Sequence, residues 1–510
     1  MFIQLSIHID EFYYLPGRVI VIQLLHTTSD RRFILSEQHF PLLTIHHGNP
    51  STFTGPLARV LGPRLQNNKM IKAMSSVSRL ARGGEMELLG MTTDIDQEGT
   101  FSAWATGPMG KLPDAKKAVE GVQKAIRNRG KPIIQRDNTL IYTSYQPPIP
   151  TKASMKLLGS RLSVELNGHP QPTVCTLQVT TRCQANCIHC SAARHKRPNE
   201  AELTTDDWKR IIRESEQLGA VTIVFTGGEP LLRPDIYELI EWVDKDEAIA
   251  LMFCNGLMLN EENVRKLAKA GLWCIHVSID SPDPNAHDEM RRVPGSFQKA
   301  VDGLKRCKDA GILTGISTYA TPERLHNGQV VELIELAKTI GTDEVTIFDV
   351  VPTGRLLTED RKHLLSDEDK DELCRIEQQY NDSSPLPHII TQAHVNGPTG
   401  AGCYAGWCQF YMTAYGEVTP CDFTPLCFGN AREESLETIW SRMSCHEGYC
   451  GHKESCRMQD QHFRARWIDR IPLSGPFPYP VSELDKLNEA EIEDVEVEET
   501  GGFSSIGIKG

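Results

Sequence analysis

Cys183-Gln-Ala-Asn-Cys187-Ile-His-Cys190 follows directly on an apolar, β-branched run from Cys175 to Thr181. Three thiols within eight residues, just past a strand-like segment, can close on one soft metal centre without distant parts of the chain having to meet first. A structural zinc takes four protein ligands, and no fourth Cys or well-spaced His completes the set nearby, since His189 stands between two thiols and points elsewhere. A [4Fe-4S] cube held by three thiolates keeps one iron open to an outside ligand, much as a catalytic zinc site keeps an open position. The competing reading is three cysteines that merely fill a core or bind zinc.

Beyond this loop, helical and strand patterns alternate. A helix over Thr204–Leu218 opens on Thr204-Thr-Asp-Asp207 as its cap and closes at Gly219. Strands read at Val221–Phe225, Ile249–Cys254, Trp273–Ile279, Leu313–Tyr319 and Glu344–Val350, with helices near Asp235, Glu261, Ser296 and Gly328. Counted with the run before Cys183, these make six βα units. Repeated βα units demand a parallel sheet with right-handed crossovers, and such sheets carry their sites at the carboxyl ends of the strands.

The cysteine spacing, with His189 before the third thiol, resembles the signature of the radical S-adenosylmethionine (radical SAM) superfamily. The remaining matches fall at strand ends. Gly227-Gly228-Glu229-Pro230 is similar to the family's GGEP element, which contacts the methionine amino group; glycines admit close backbone approach, and a carboxylate accepts from an ammonium. Asn255-Gly256 sits where relatives often carry Asn-Gly, although a plain turn explains it equally well. Ser278-Ile-Asp280 resembles a Ser-Leu-Asp-Gly segment whose polar side chains reach cofactor or substrate. Arg291, in a His-Asp-x-x-Arg run, is the residue the resemblance assigns to the SAM carboxylate. Arg292 departs from the Gly usual there. Pro352-Thr-Gly354-Arg355 matches the usual end of the barrel.

A capped, charged helix from Ser366 to Tyr380 leads to a second cysteine array. Cys403, Gly416, Cys421 and the Phe428-Gly-Asn430 stretch resemble the SPASM or twitch extension, which carries auxiliary iron–sulfur clusters. Its familiar last cysteine run is not reproduced, because the chain reads Cys445-x4-Cys450-x5-Cys456. With Cys408 and Cys427 the local count is seven, one short of two full clusters. The expected ligands of one auxiliary cluster are Cys403, Cys421, Cys445 and Cys456, with Cys450 able to replace Cys445; a zinc site there is the alternative.

The 510 residues allow two or three domains. The expected class is α/β: an N-terminal α+β extension of unassigned role (1–150), a partial (βα)6 radical SAM barrel (168–357), a bridging helix and linker (358–398), a Cys-rich iron–sulfur domain (399–470) and an acidic, disordered tail (471–510). Pro147-Pro148-Ile-Pro150 reads as the linker into the barrel. A net charge of −13 excludes a general nucleic-acid binder. No secretory leader is evident, and the 15 cysteines suit a reducing cytoplasm better than a disulfide framework. Val19–Leu25 is too short to span a bilayer. A basic amphipathic pattern over Leu57–Arg82 permits peripheral membrane contact, with packing onto the main domain as the default. Asp114–Arg129 reads as an ordinary core helix, and the His46-His47 pair carries no chemistry.

The resemblance implies an enzyme in which a reduced [4Fe-4S] cluster, fed by an external donor such as flavodoxin or ferredoxin, splits bound SAM to a 5′-deoxyadenosyl radical that takes hydrogen from a substrate. Peptide or protein modification is the leading subclass. A lipid, isoprenoid or tetrapyrrole-like small molecule is the alternative substrate, and a non-catalytic iron–sulfur electron carrier is a different class altogether.

Overall fold

Strands buried on both faces read as unbroken apolar runs, and the six such runs form one parallel sheet. The computed structural model describes residues 132–136, 139–167, 170–197, 199–358, 363–398 and 400–486, together with the strands of the N-terminal region. The expected helices at 57–82 and 114–129, the His46-His47 pair and the part of the expected tail beyond 486 lie outside the described residues, whereas the first part of that tail is ordered, with Tyr479–Pro480 paired to Leu426–Cys427 and Phe477, Val481 and Leu484 buried. Two compact units are distinguished, Met1–Gly84 and Glu85–Gly510. The first holds four antiparallel strands in sequence order: β1 (His8–Leu15), β2 (Arg18–Thr27), β3 (Asp30–Glu37) and β4 (Leu43–Ile45).

The second unit begins with a ribbon, β5 (Met91–Ile95) and β6 (Phe101–Ala105), and a short hairpin, β7 (Ile134–Arg136) and β8 (Thr139–Ile141). Its main sheet takes β9 (Val174–Gln178), β10 (Thr222–Thr226), β11 (Ile249–Cys254), β12 (Cys274–Ser278), β13 (Leu313–Ala320) and β14 (Glu344–Asp349), each parallel to the next. Helices fill the connections. The first, α1 (Lys152–Asn167), was not expected, because the prolines before it read as a linker; instead Ile149 exchanges both backbone hydrogen bonds with Leu140. Next, α2 (Thr205–Leu218) carries the expected Thr204/Asp207 capping box and buries Trp208, Ile211 and Ile212 completely against the sheet. Burial of each such isoleucine is worth roughly 1.5–3 kcal/mol.

The sheet runs past the six barrel strands at both edges. After α3 (Asp367–Ser383), capped by Ser366 as expected, β15 (His388–Thr391) adds parallel to β14. On the far edge β16 (Gln409–Met412) pairs parallel with β9, and β17 (Val418–Thr419) pairs antiparallel with β16. One sheet therefore crosses the expected boundary between barrel and Cys-rich domain.

Residues 143–145 lie against the amino ends of the barrel strands. Glu344, fully buried at the start of β14, accepts from Ser144 N (3.0 Å), Ser144 Oγ (2.5 Å) and Thr143 Oγ1 (2.9 Å). The Ser144 hydroxyl also lies 2.9 Å from His276 Nε2. Burial pushes Glu344 up to about 7 and His276 down to about 3. This end of the barrel is thus tied to the segment that precedes it in sequence.

Candidate functional site

At the carboxyl ends of the same strands the chain leaves β9 and forms the Cys183–Cys190 loop. The Gly227–Gly228 turn after β10 is held to it, with Gly228 N donating to Thr180 O (2.7 Å) and Glu229 N to Arg182 O (2.8 Å). A Cβ on Gly228 would meet Arg182 O at 2.4 Å, so only glycine permits the approach. Gly354, with φ of +53°, closes the loop from behind: Arg355 N donates to Cys190 O at 3.1 Å, and Arg194 Nε to Gly354 O at 2.8 Å.

Cys183, Cys187 and Cys190 all line one cavity of 1760 Å³. N–H groups point at their sulfurs: Ala185 N (3.4 Å) and Asn255 Nδ2 (3.9 Å) at Cys183, and Arg291 Nη1 (3.7 Å) at Cys187. Burial pushes the Cys183 and Cys190 thiols up. A positively charged metal centre would reverse that by taking them as thiolates, and donors aimed at sulfur already suit the charged form. The three thiols, the close glycine turn and the surrounding N–H groups therefore fit a three-thiolate cluster.

Asp280, at the end of β12, accepts from Arg291 Nε at 2.6 Å, and His189 Nε2 lies 3.5 Å from the same oxygen. Burial opposes ionisation of Asp280, yet the Arg291 guanidinium holds its carboxyl well below the usual range. The His189 ring lies on Tyr319, centroids 4.6 Å apart; its Nδ1 has no partner, and burial lowers its pKa to about 4, so it is neutral. Ser278 Oγ accepts from Ser317 Oγ (3.2 Å) and also faces the cavity.

The expected cofactor residues divide. Gly227, Gly228, Asn255, Ser278, Asp280, Arg291 and His189 line the cavity; Glu229 and Pro230 do not. Glu229 is fully buried with both oxygens engaged, Oε1 by Leu231 N (3.1 Å) and Oε2 by Asn255 N (2.8 Å), so its carboxylate positions two loops instead of facing the cavity. Arg324 was not expected: it is buried and donates to the backbone oxygens of Tyr319 and Asp280.

The C-terminal cysteines divide as well. Cys403, Cys421 and Cys456 line the same cavity; burial pushes the Cys421 thiol up to about 12 and the Cys456 thiol up as well, and at both the nearby Cys403 is the next cause. Cys408 lines it too, and burial pushes this thiol up to about 12. Cys445, the last residue of the helix Leu436–Cys445, and Cys450 are exposed and do not line it. Among the described residues no three His, Cys, Asp or Glu side chains converge as they would around a single ion. Asp349, at the end of β14, and Asp422 complete the wall, both with pKa raised to about 6 by burial.

Two families match this chain, the radical SAM superfamily over residues 177–326 and an iron–sulfur cluster-binding domain, SPASM, over 403–464. It is similar to the AdoMet-dependent heme synthase of Methanosarcina barkeri, 28% identical over 53% of this chain and 82% of that protein. It is also similar to the sporulation killing factor maturation protein SkfB of Bacillus subtilis, 29% identical over 53% of this chain and 65% of that protein. Among solved structures, Streptococcus suis SuiB bound to its precursor peptide SuiA aligns over 80% of this chain and 84% of that one, at 14% identity and a TM-score of 0.46.

Proposed function

We propose that this chain, which belongs to the radical SAM superfamily and carries a SPASM iron–sulfur domain, is an enzyme that modifies a peptide or protein by hydrogen abstraction. When bound, the reduced [4Fe-4S] cluster supplies the electron that opens the sulfonium of SAM and so delivers the 5′-deoxyadenosyl radical. The chain's own residues do the rest. Cys183, Cys187 and Cys190 hold the cluster, and the Gly227–Gly228 turn admits the methionine end of SAM. Asn255 and the Asp280–Arg291 pair orient it, and the surrounding wall keeps water from the reacting centre. Cys403, Cys421 and Cys456 hold auxiliary iron.

The observation that carries this reading is that Cys183, Cys187 and Cys190 and the C-terminal Cys403, Cys408, Cys421 and Cys456 face one cavity of 1760 Å³, larger than the roughly 300–1,000 Å³ of ordinary ligand pockets. Such a space suits SAM together with a sizeable substrate. Peptide modification draws support from the likeness to SkfB, a sporulation killing factor maturation protein, and to a PqqA peptide cyclase. A second reading, a tetrapyrrole-like small molecule, draws on the likeness to heme synthase. An external one-electron donor and a cytoplasmic setting belong to the same proposal; no helix among the described residues is long and apolar enough to cross a membrane. Anaerobically reconstituted, reduced protein given SAM alone is expected to form 5′-deoxyadenosine. An electron carrier would form none, and that result would sink the proposal.

A further inference from the structure

We infer that Arg324 is a positioning residue for the thiol loop: it fixes Asp280 and Tyr319 beside that loop, and its buried charge eases one-electron reduction of the cluster held there. Arg324 stands in the short helix Pro322–His326 that follows β13 and is 5% exposed. Its Nη1 donates to the backbone oxygen of Tyr319, and its Nη2 to the backbone oxygen of Asp280 and to Thr318 Oγ1 (3.3 Å). Its guanidinium carbon lies 4.6 Å from the centroid of the Tyr319 ring, whose centroid is in turn 4.6 Å from that of His189, between Cys187 and Cys190. Burial keeps His189 neutral, and the charges of Arg291 and Arg324 lower its pKa further against the pull of Asp280, so the field of Arg324 reaches the loop.

Every hydrogen bond Arg324 makes among the described residues goes to a neutral oxygen, and the carboxylate that acts on it, Asp280, is already bound by Arg291. Burial lowers the pKa of Arg324, but a guanidinium keeps its proton. The group therefore holds two arginines against one aspartate. Its other titratable neighbours do not redress this, since burial keeps His287 neutral and pushes the Tyr319 hydroxyl up to about 12. Glu229 faces Arg291 from the Asn255 side, but burial pushes its carboxyl up to about 7 and so weakens its charge. A buried charge without its own counter-ion is costly unless something of opposite sign arrives. Three thiolates bring that sign, and the potential of an iron–sulfur centre rises with the positive charge around it. The electron comes from the external one-electron donor, which is oxidised as the cluster is reduced. The inference rests on the reading that Cys183, Cys187 and Cys190 hold a [4Fe-4S] cluster.

The test is a redox titration of the full, anaerobically reconstituted chain with titanium(III) citrate. It is followed by electron paramagnetic resonance, with the loop's cluster identified as the signal that changes when SAM is added. Arg324→Gln should lower the reduced-to-oxidised ratio of that signal about tenfold at a given potential, a midpoint about 59 mV lower. Asp280→Asn removes the anion instead and should move the midpoint up by a similar amount, and the double substitution should return it close to the parent value. The auxiliary signal should stay where it is throughout. A purely structural strut would behave differently, because loosening the strand ends by either substitution would shift the potential in the same direction. Single substitutions that move the midpoint the same way, or an Arg324→Gln midpoint equal to the parent's, overturn the inference. Should Arg324→Gln lose its iron, Asp280→Asn decides alone, and an unmoved or lowered midpoint overturns it. An unaltered chain with neither a SAM-responsive signal nor 5′-deoxyadenosine formation fails the cluster reading itself; one that shows both but lacks the opposed shifts fails this inference alone.

Discussion

The two thiol groups on this cavity are held in different ways. Cys183, Cys187 and Cys190 belong to one loop between β9 and a helical turn, and that loop's geometry is set by neighbours such as Gly228 and Gly354. Cys403, Cys421 and Cys456 span more than fifty residues of sequence. They meet because β16 and β17 join the barrel sheet and because Cys403 N donates to Lys453 O at 2.8 Å. The first set is a local device, and the second exists only once the tertiary structure does. A short loop needs little closure entropy to present its ligands, whereas a dispersed set depends on long-range pairing.

The sharpest way to break this contrast is Cys187→Ala. It should remove about four irons per chain and reduce 5′-deoxyadenosine formation to background; retained cleavage of SAM would sink the assignment of the loop. Next in size, Cys456→Ala should lower iron content and abolish substrate turnover while SAM alone is still cleaved. Cys445→Ala and Cys450→Ala should keep their iron, since both thiols are exposed and off the cavity. Iron loss in either would show that the structural grouping of the dispersed set is wrong.

A smaller effect is expected from Gly228→Ala, whose added methyl would press on Arg182 O. Overpacking of this kind costs about 1–3 kcal/mol, so SAM should bind roughly tenfold more weakly, as titration would show, with the auxiliary iron untouched.

The mildest change lies at the other end of the barrel. Glu344 titrates at about 7 when folded against a usual 4.5, so it adds stability as the pH falls through 7. His276, lowered to about 3 from 6.5, loses stability as the pH falls below 6.5. The two slopes offset each other in the native chain. Glu344→Gln removes the first, and its melting temperature should drop more steeply than the parent's between pH 7 and 5, by an amount on the order of 2 kcal/mol at pH 5. Parallel curves would exclude this pair as the source.

What could be read beforehand follows the same contrast. The barrel strands were legible because they are buried on both faces and so are apolar throughout, and β11 falls on the expected residues from Ile249 to Cys254. The local thiol loop was legible for want of any other use for its spacing. Glu229, expected at the methionine end of SAM, is buried off the cavity lining with one backbone donor on each carboxylate oxygen, a setting that no local pattern announces. Spacing alone put Cys445 and Cys450 among the auxiliary ligands, but a helix terminus and a turn carry them to the surface. Asp349 gave no signal, because its character comes from Gln459, 110 residues away, and from a depth no local pattern reports. Arg324 and Tyr319 matter for the same kind of reason, through distant partners across the strand ends.

The pairing of Gln409–Met412 with Val174–Leu177 has one more consequence. The strand that launches the first thiol loop is hydrogen-bonded to the strand that follows Cys408, so one continuous backbone ladder runs from the loop of Cys183 to the Cys-rich region.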